Sequence, residues 1–238
     1  MANFTNAYPA SFAAQASSSE RIQFLRRTYA LTAASLLLLV ALEVILFKTG
    51  LGLLLIKAIS ASPVGLILTL VLFIGAGYVA QMLAHADVSR NVQLIGLLMY
   101  ICLEAVILAP IIYYAEYVKF PGQNLAGTAA LLTTIVFSGL TATVFLTKVD
   151  FSFLGYGLML FGWFALGLVI CAVCFGIPLG AWFSIAMIGF ACAAILYDTS
   201  NLIYNYRVDQ HVGAALELFA SIALLFYYIL RLLIQTRD

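Results

Sequence analysis

Charge is what this sequence has least of. Only 9% of its 238 residues are Asp, Glu, Lys or Arg, against about 25% in soluble domains, so water is not the main solvent of the folded chain. The net charge of +1 excludes a basic surface for nucleic acid and an acidic tail. Cysteine is scarce too, and Cys102, Cys171, Cys174 and Cys192 all fall inside apolar runs. Cys171 and Cys174 form a C-x-x-C, but on a helix they are neighbours one turn apart. With no second pair and no nearby His, they read as small packing residues rather than a metal or redox site. Nothing in the chain asks for a cofactor. Positive charge is missing from the first twenty residues, so the basic start of a secretory signal is absent.

What remains is hydrophobic: 65% of the chain, with a mean hydropathy of +1.10. At roughly 20 apolar residues per crossing, this is an all-α membrane protein with room for seven transmembrane helices. The expected spans are 29–47, 63–84, 92–114, 125–146, 153–175, 181–203 and 212–232, in a single domain of residues 26–238 after a flexible tail of residues 1–25. Residues 51–59 are apolar but too short to cross, and are expected at the interface or extending a neighbouring helix. Pro63 suits a helix start, and Pro110 should kink the third span. Residues 116–124, with Pro121-Gly122, read as an external loop. The fourth span is rich in Thr, Ser and Gly, which let helices approach closely and bond across the contact. Residues 148–152 and 176–180 read as tight turns.

With seven spans, Arg21, Arg26, Arg27, Arg90, Lys148 and Arg207 fall on the N-terminal side, and Lys48, Lys57, Lys119, Arg231 and Arg237 on the other. The cluster beside the first span favours a cytoplasmic N-terminus and an outer C-terminus.

Four of the ten acids, Glu43, Glu104, Asp198 and Glu217, lie inside expected spans, where no Lys or Arg accompanies them until Arg231 at the last exit. Desolvation disfavours the charged form of such a group. An acid in hydrocarbon is costly, so it marks either a hydrogen-bonded helix contact or an ion and proton site. The sixth and seventh spans form an antiparallel hairpin around the polar loop 204–211. That loop is centred midway between Asp198 and Glu217, which are expected at similar depth. Ser221 lies one turn beyond Glu217, about 6 Å deeper, and Asn201 follows Asp198 on its own face.

Several stretches together resemble the Bax inhibitor family, most closely its bacterial YccA-type branch. They are Arg27-Thr28-Tyr29, Ser62-Pro63 with Leu66-Ile67-Leu68-Thr69-Leu70, and Gly127-Thr128-Ala129. More specific are Lys148-x-Asp150-x-Ser152-Phe153-Leu154-Gly155 and Ile195-Leu196-Tyr197-Asp198-Thr199-Ser200-Asn201. The resemblance implies a seven-helix bundle with the last helix central, and a pH-sensitive calcium leak. It also implies a latch of two aspartates on the last two spans that share a proton. Asp198 matches the first of these, but Ser221 stands at the second, which leaves Glu217 as a candidate replacement. The YccA-type branch further implies the inner membrane of a bacterium and association with a membrane-bound AAA protease.

Three functions follow for comparison. One is an ion pathway in which Asp198 responds to a proton or to Ca²⁺, with Glu217, Ser221 and Asn201 as oxygen-bearing neighbours suited to a hard cation. Another is a modulator of the AAA protease, with the N-terminal tail as its handle. The third, an intramembrane aspartyl protease, needs two aspartates sharing a proton. The last span holds none, so an enzyme is not expected.

Overall fold

The computed structural model describes residues 12–60, 74–84 and 89–237. Eight α-helices occur among them: α1 (Ser18–Lys48), α2 (Leu51–Ser60), α3 (Ile74–Ala84), α4 (Arg90–Tyr113), α5 (Leu125–Thr147), α6 (Leu154–Phe175), α7 (Ala181–Tyr204) and α8 (His211–Thr236). Six of these, with α4 counted together with the π-helical turn Tyr114–Lys119 that extends it, are long and apolar enough to cross a membrane. The described part of the expected second span is the shorter α3, and the remainder, with Ser62-Pro63 and Leu66–Leu70, lies outside the described residues. The architecture is therefore all-α and multi-pass.

Local chemistry sets the helix ends. Helix α1 starts at Ser18, inside the segment expected to be a flexible tail, because Ser17 and Glu20 form a reciprocal capping box. Residues before it are also engaged: Ala13 is buried and donates its N–H to the Tyr206 carbonyl at 2.8 Å, on the α7–α8 loop. Asn124 and Lys148 bound α5 with left-handed backbone, φ 48° and 54°. The Asn124 side chain accepts the Gly127 N–H, and Glu116 accepts the Ala126 N–H at 2.7 Å. Residues 116–119, expected to begin an external loop, instead continue the helix as part of the wide π turn Tyr114–Lys119.

The hydroxyls of α5 depart from expectation in an instructive way. Thr133, Thr134, Thr143 and Thr147 each donate to the carbonyl four residues back in their own helix, all at 2.8 Å. In hydrocarbon the nearest free lone pair is that carbonyl, so these side chains satisfy themselves rather than a neighbour.

Helix α8 is the hub. Its Val212, Leu216 and Phe219 pack with Leu39 of α1 and with Leu97, Ile101 and Leu108 of α4. Its Leu225, Ile229 and Leu230 meet Leu125 and Ala129 of α5 and Ala191 and Ile195 of α7. Tyr228 packs with Met187 and with Ala165 of α6. At its far end, Arg231 and Gln235 donate to the Leu179 carbonyl, and Ser184 donates to Gln235. This fastens α8 to the α6–α7 turn. Helix α6, by contrast, leaves nearly all its surface outward for lipid.

Candidate ion and proton site

Asp198, on the inner-facing side of α7, is buried, and its Oδ2 accepts the Ser221 Oγ–H of α8 at 2.5 Å. Ser221 is buried as well. Glu217, half-buried one turn nearer the loop, lies within the field of Asp198. The loop residue Tyr206 donates its hydroxyl to Glu217. Burial first, and then the Glu217 charge, raises that phenol well above its ordinary range. Counting from the loop had put Glu217 level with Asp198, yet Ser221 makes the direct contact. Side chains tilt toward the N-terminus of their helix. On α7 this moves the Asp198 carboxyl away from the loop, and on antiparallel α8 it moves the Ser221 hydroxyl back toward it.

The two most specific sequence motifs meet in space. Asp150 Oδ1 accepts from the Ser152 N–H at 2.9 Å and from Ser200 Oγ at 3.1 Å, while Ser200 Oγ accepts the Phe151 N–H. These bonds, led by those from Ser152, hold the Asp150 carboxyl below its usual range. Asn201 was expected beside Asp198, but its Oδ1 faces the α5–α6 turn and accepts from Ser152 and Asn205. Tyr204 closes the joint by donating to the Lys148 carbonyl at 2.7 Å. A Cβ on Gly155 would sit 2.9 Å from the Tyr197 ring. Thr199 is wholly buried, and its hydroxyl gathers with that of Thr141 on α5 around the buried Tyr29 hydroxyl of α1. The motif residues Lys148, Asp150, Ser152 and Tyr197 thus build the seat that holds α7, while Thr199 faces Tyr29 of α1.

A family model described as inhibitor of apoptosis-promoting Bax1 matches residues 21–238. The chain belongs to the Bax inhibitor family. It is 32% identical over 124 residues to the Golgi anti-apoptotic protein of vaccinia virus strain Lister, covering 50% of this chain and 51% of the viral one. It is 36% identical over 110 residues to protein LIFEGUARD 4 of Arabidopsis thaliana, covering 43% of each. Bax inhibitor 1 of Schizosaccharomyces pombe is 32% identical over 117 residues, covering 46% and 43%. The chain spans about half the length of the curated relatives it matches, and no solved structure gives a significant match.

This Bax inhibitor protein holds a second acid pair that sequence reading left as two separate residues. Glu43 of α1 is buried with both carboxyl oxygens unpartnered, and it lies within the field of Glu104 on α4. Tyr100 and Tyr227 also feel the Glu104 charge. The sequence signal was present, since each acid sits alone in an apolar span, but the two acids are 61 positions apart along the chain (104 − 43) and nothing local joins them. Among the described residues, no group of three His, Cys, Asp or Glu gathers to hold a metal ion.

Proposed function

We propose that this Bax inhibitor family member is a proton-responsive leak for a hard cation such as Ca²⁺, with Asp198 as the responding acid. The reading rests on one observation: a buried carboxylate bonded at 2.5 Å between α7 and the hub helix α8, with a second acid one turn toward the loop. Ser221 keeps the hydrogen bond that a second aspartate would make but brings no charge. Glu217 therefore supplies the second negative charge. A cation entering from the loop end would meet Glu217 first and Asp198 next. Two carboxylates and a hydroxyl are fewer oxygens than the six to eight of a resident Ca²⁺ cage, which suits a passing ion. Protonation of Asp198 removes the attraction and favours a different packing of the α7–α8 hairpin, a two-state element biased by pH. We place the protein in the inner membrane of a bacterium, with the N-terminus cytoplasmic.

The test is Ca²⁺ flux into liposomes holding the purified protein, between about pH 6 and 8. Flux that depends on pH and is lost in both Asp198→Asn and Glu217→Gln is expected. Flux lost only with Asp198→Asn would reduce Glu217 to an interfacial acid. Asp198→Asn flux equal to wild type at every pH would remove the proposal. Flux no greater than in empty liposomes would shift the reading to modulation of a membrane-bound AAA protease. In that case, deleting residues 1–19 should abolish co-purification with the protease.

A further inference from the structure

At the end of the bundle where α4 and α8 begin, a cavity of about 560 Å³ is lined by Arg27, Arg90, Arg207, Gln93, Asp209 and His211. Neither the acid pair of the leak nor the α5–α6 seat contributes to it. Three guanidinium groups from three separate elements converge there, and Asp209, the only carboxylate in the lining among the described residues, is already held by Arg207 at 2.7 Å. The balance of these described groups is positive. Arg90 and His211, the first residues of α4 and α8, both line it. Ser89 caps α4 and Gln210 caps α8, and neither makes a side-chain cap bond, so the first amides of both helices keep their partial positive charge.

His211 supplies the independent sign of a ligand. Its ring is buried, and Arg90 and Arg27 act on it by their charge. Nδ1 lies 3.2 Å from the Asp209 carbonyl, which can only accept, so Nδ1 carries the proton. Nε2 is left buried and without a partner. A neutral imidazole nitrogen in that position accepts from a hydroxyl, and the guanidinium groups around it bind oxyanions through charge-assisted forks.

We propose that this cavity binds a phosphate group whose own or neighbouring hydroxyl is accepted by His211 Nε2, with Arg27 and Arg90 as the principal charge partners. The phosphate is either that of an anionic lipid headgroup or that of a small soluble phosphate compound. Arg207 and His211 flank the loop that carries Tyr206, so the ligand would grip the segment that closes over Glu217.

Arg27 and Arg90 are exposed enough to be replaced without disturbing the core. The experiment uses the full chain in nanodiscs as wild type, Arg27→Gln, Arg90→Gln and the control Arg26→Gln, an exposed neighbour outside the cavity. One arm titrates inorganic phosphate into zwitterionic nanodiscs by calorimetry. The other measures retention of phosphatidylglycerol by native mass spectrometry from mixed-lipid nanodiscs. At least one arm should show binding that weakens about tenfold or more in each cavity variant and is unchanged in Arg26→Gln, with thermal midpoints of all four proteins alike. Binding in the phosphate arm alone assigns a soluble compound, and binding in the lipid arm alone assigns a headgroup. Two flat arms, or equal weakening by Arg26→Gln, would overturn the proposal.

Discussion

Ser221 and Asp198 are joined by a hydrogen bond between two buried side chains in which the acceptor is an acid. Removing the hydroxyl in Ser221→Ala leaves a buried carboxyl short of a donor, which costs about 1–3 kcal/mol. A lowered thermal midpoint in detergent, restored in Ser221→Thr, is the expected outcome. Asp150 offers the pH test, since it lies in a turn outside the spans. Its folded value is depressed below 3.8, first by the Ser152 side chain. Its contribution is thus fully present above the unfolded value and is lost as pH falls through the folded one. The carboxyl is almost fully solvated, so screening holds the effect to a few tenths of a kcal/mol. Asp150→Asn should flatten this acid limb of the stability profile below about pH 4 while leaving neutral pH little changed, as a pH series of melting curves would show.

At the scale of elements, two glycines set how closely helices meet. A Cβ on Gly96 of α4 would lie 2.7 Å from the Ala80 carbonyl oxygen and 2.8 Å from the Ala84 nitrogen. Those atoms are α3 backbone and cannot rotate away. A Cβ on Gly155 has atoms of the Tyr197 side chain as its nearest neighbours, and that side chain can swing. Gly96→Ala should therefore destabilise more than Gly155→Ala, with each costing on the order of 1–3 kcal/mol. Pairing Gly155→Ala with Tyr197→Ala should recover part of the loss, because the two sites touch. Equal midpoints for the two single variants would contradict this ranking. The α7–α8 hairpin is also gripped from three sides: by Ala13 at its loop, by the 150–152 turn along α7, and by the α6–α7 turn at the end of α8.

For the whole molecule, the number of crossings decides which side each terminus occupies. Six candidate spans occur among the described residues, and α3 lies within the expected second span, 63–84. A seventh crossing by residues 63–84 would put the termini on opposite faces, and the proposed orientation has the arginines of the N-terminal end in the cytoplasm. Reporter fusions at the two ends should therefore give opposite signals. Identical signals would mean that residues 63–84 do not cross.

Much of this was legible before any coordinates. Helix lengths and turns depend on local quantities, namely apolar run length and polar punctuation, and five expected spans (92–114, 125–146, 153–175, 181–203 and 212–232) agree with α4 through α8 to within a few residues at either end. Asp198 stood out because an acid in hydrocarbon is costly wherever it lies. Partnerships were not legible. Helices that are apolar on every side carry no stripe to say which neighbour each face meets, so Glu43 and Glu104 looked unrelated and the arginine cavity was invisible. The choice of Ser221 over Glu217 as the direct partner of Asp198 depended on side-chain tilt across an antiparallel pair. The sequence alone determined that the chain is a run of long apolar helices and which acid is out of place in them. Only the tertiary structure decided what that acid touches, because register between helices is set by packing in three dimensions and not by spacing along the chain.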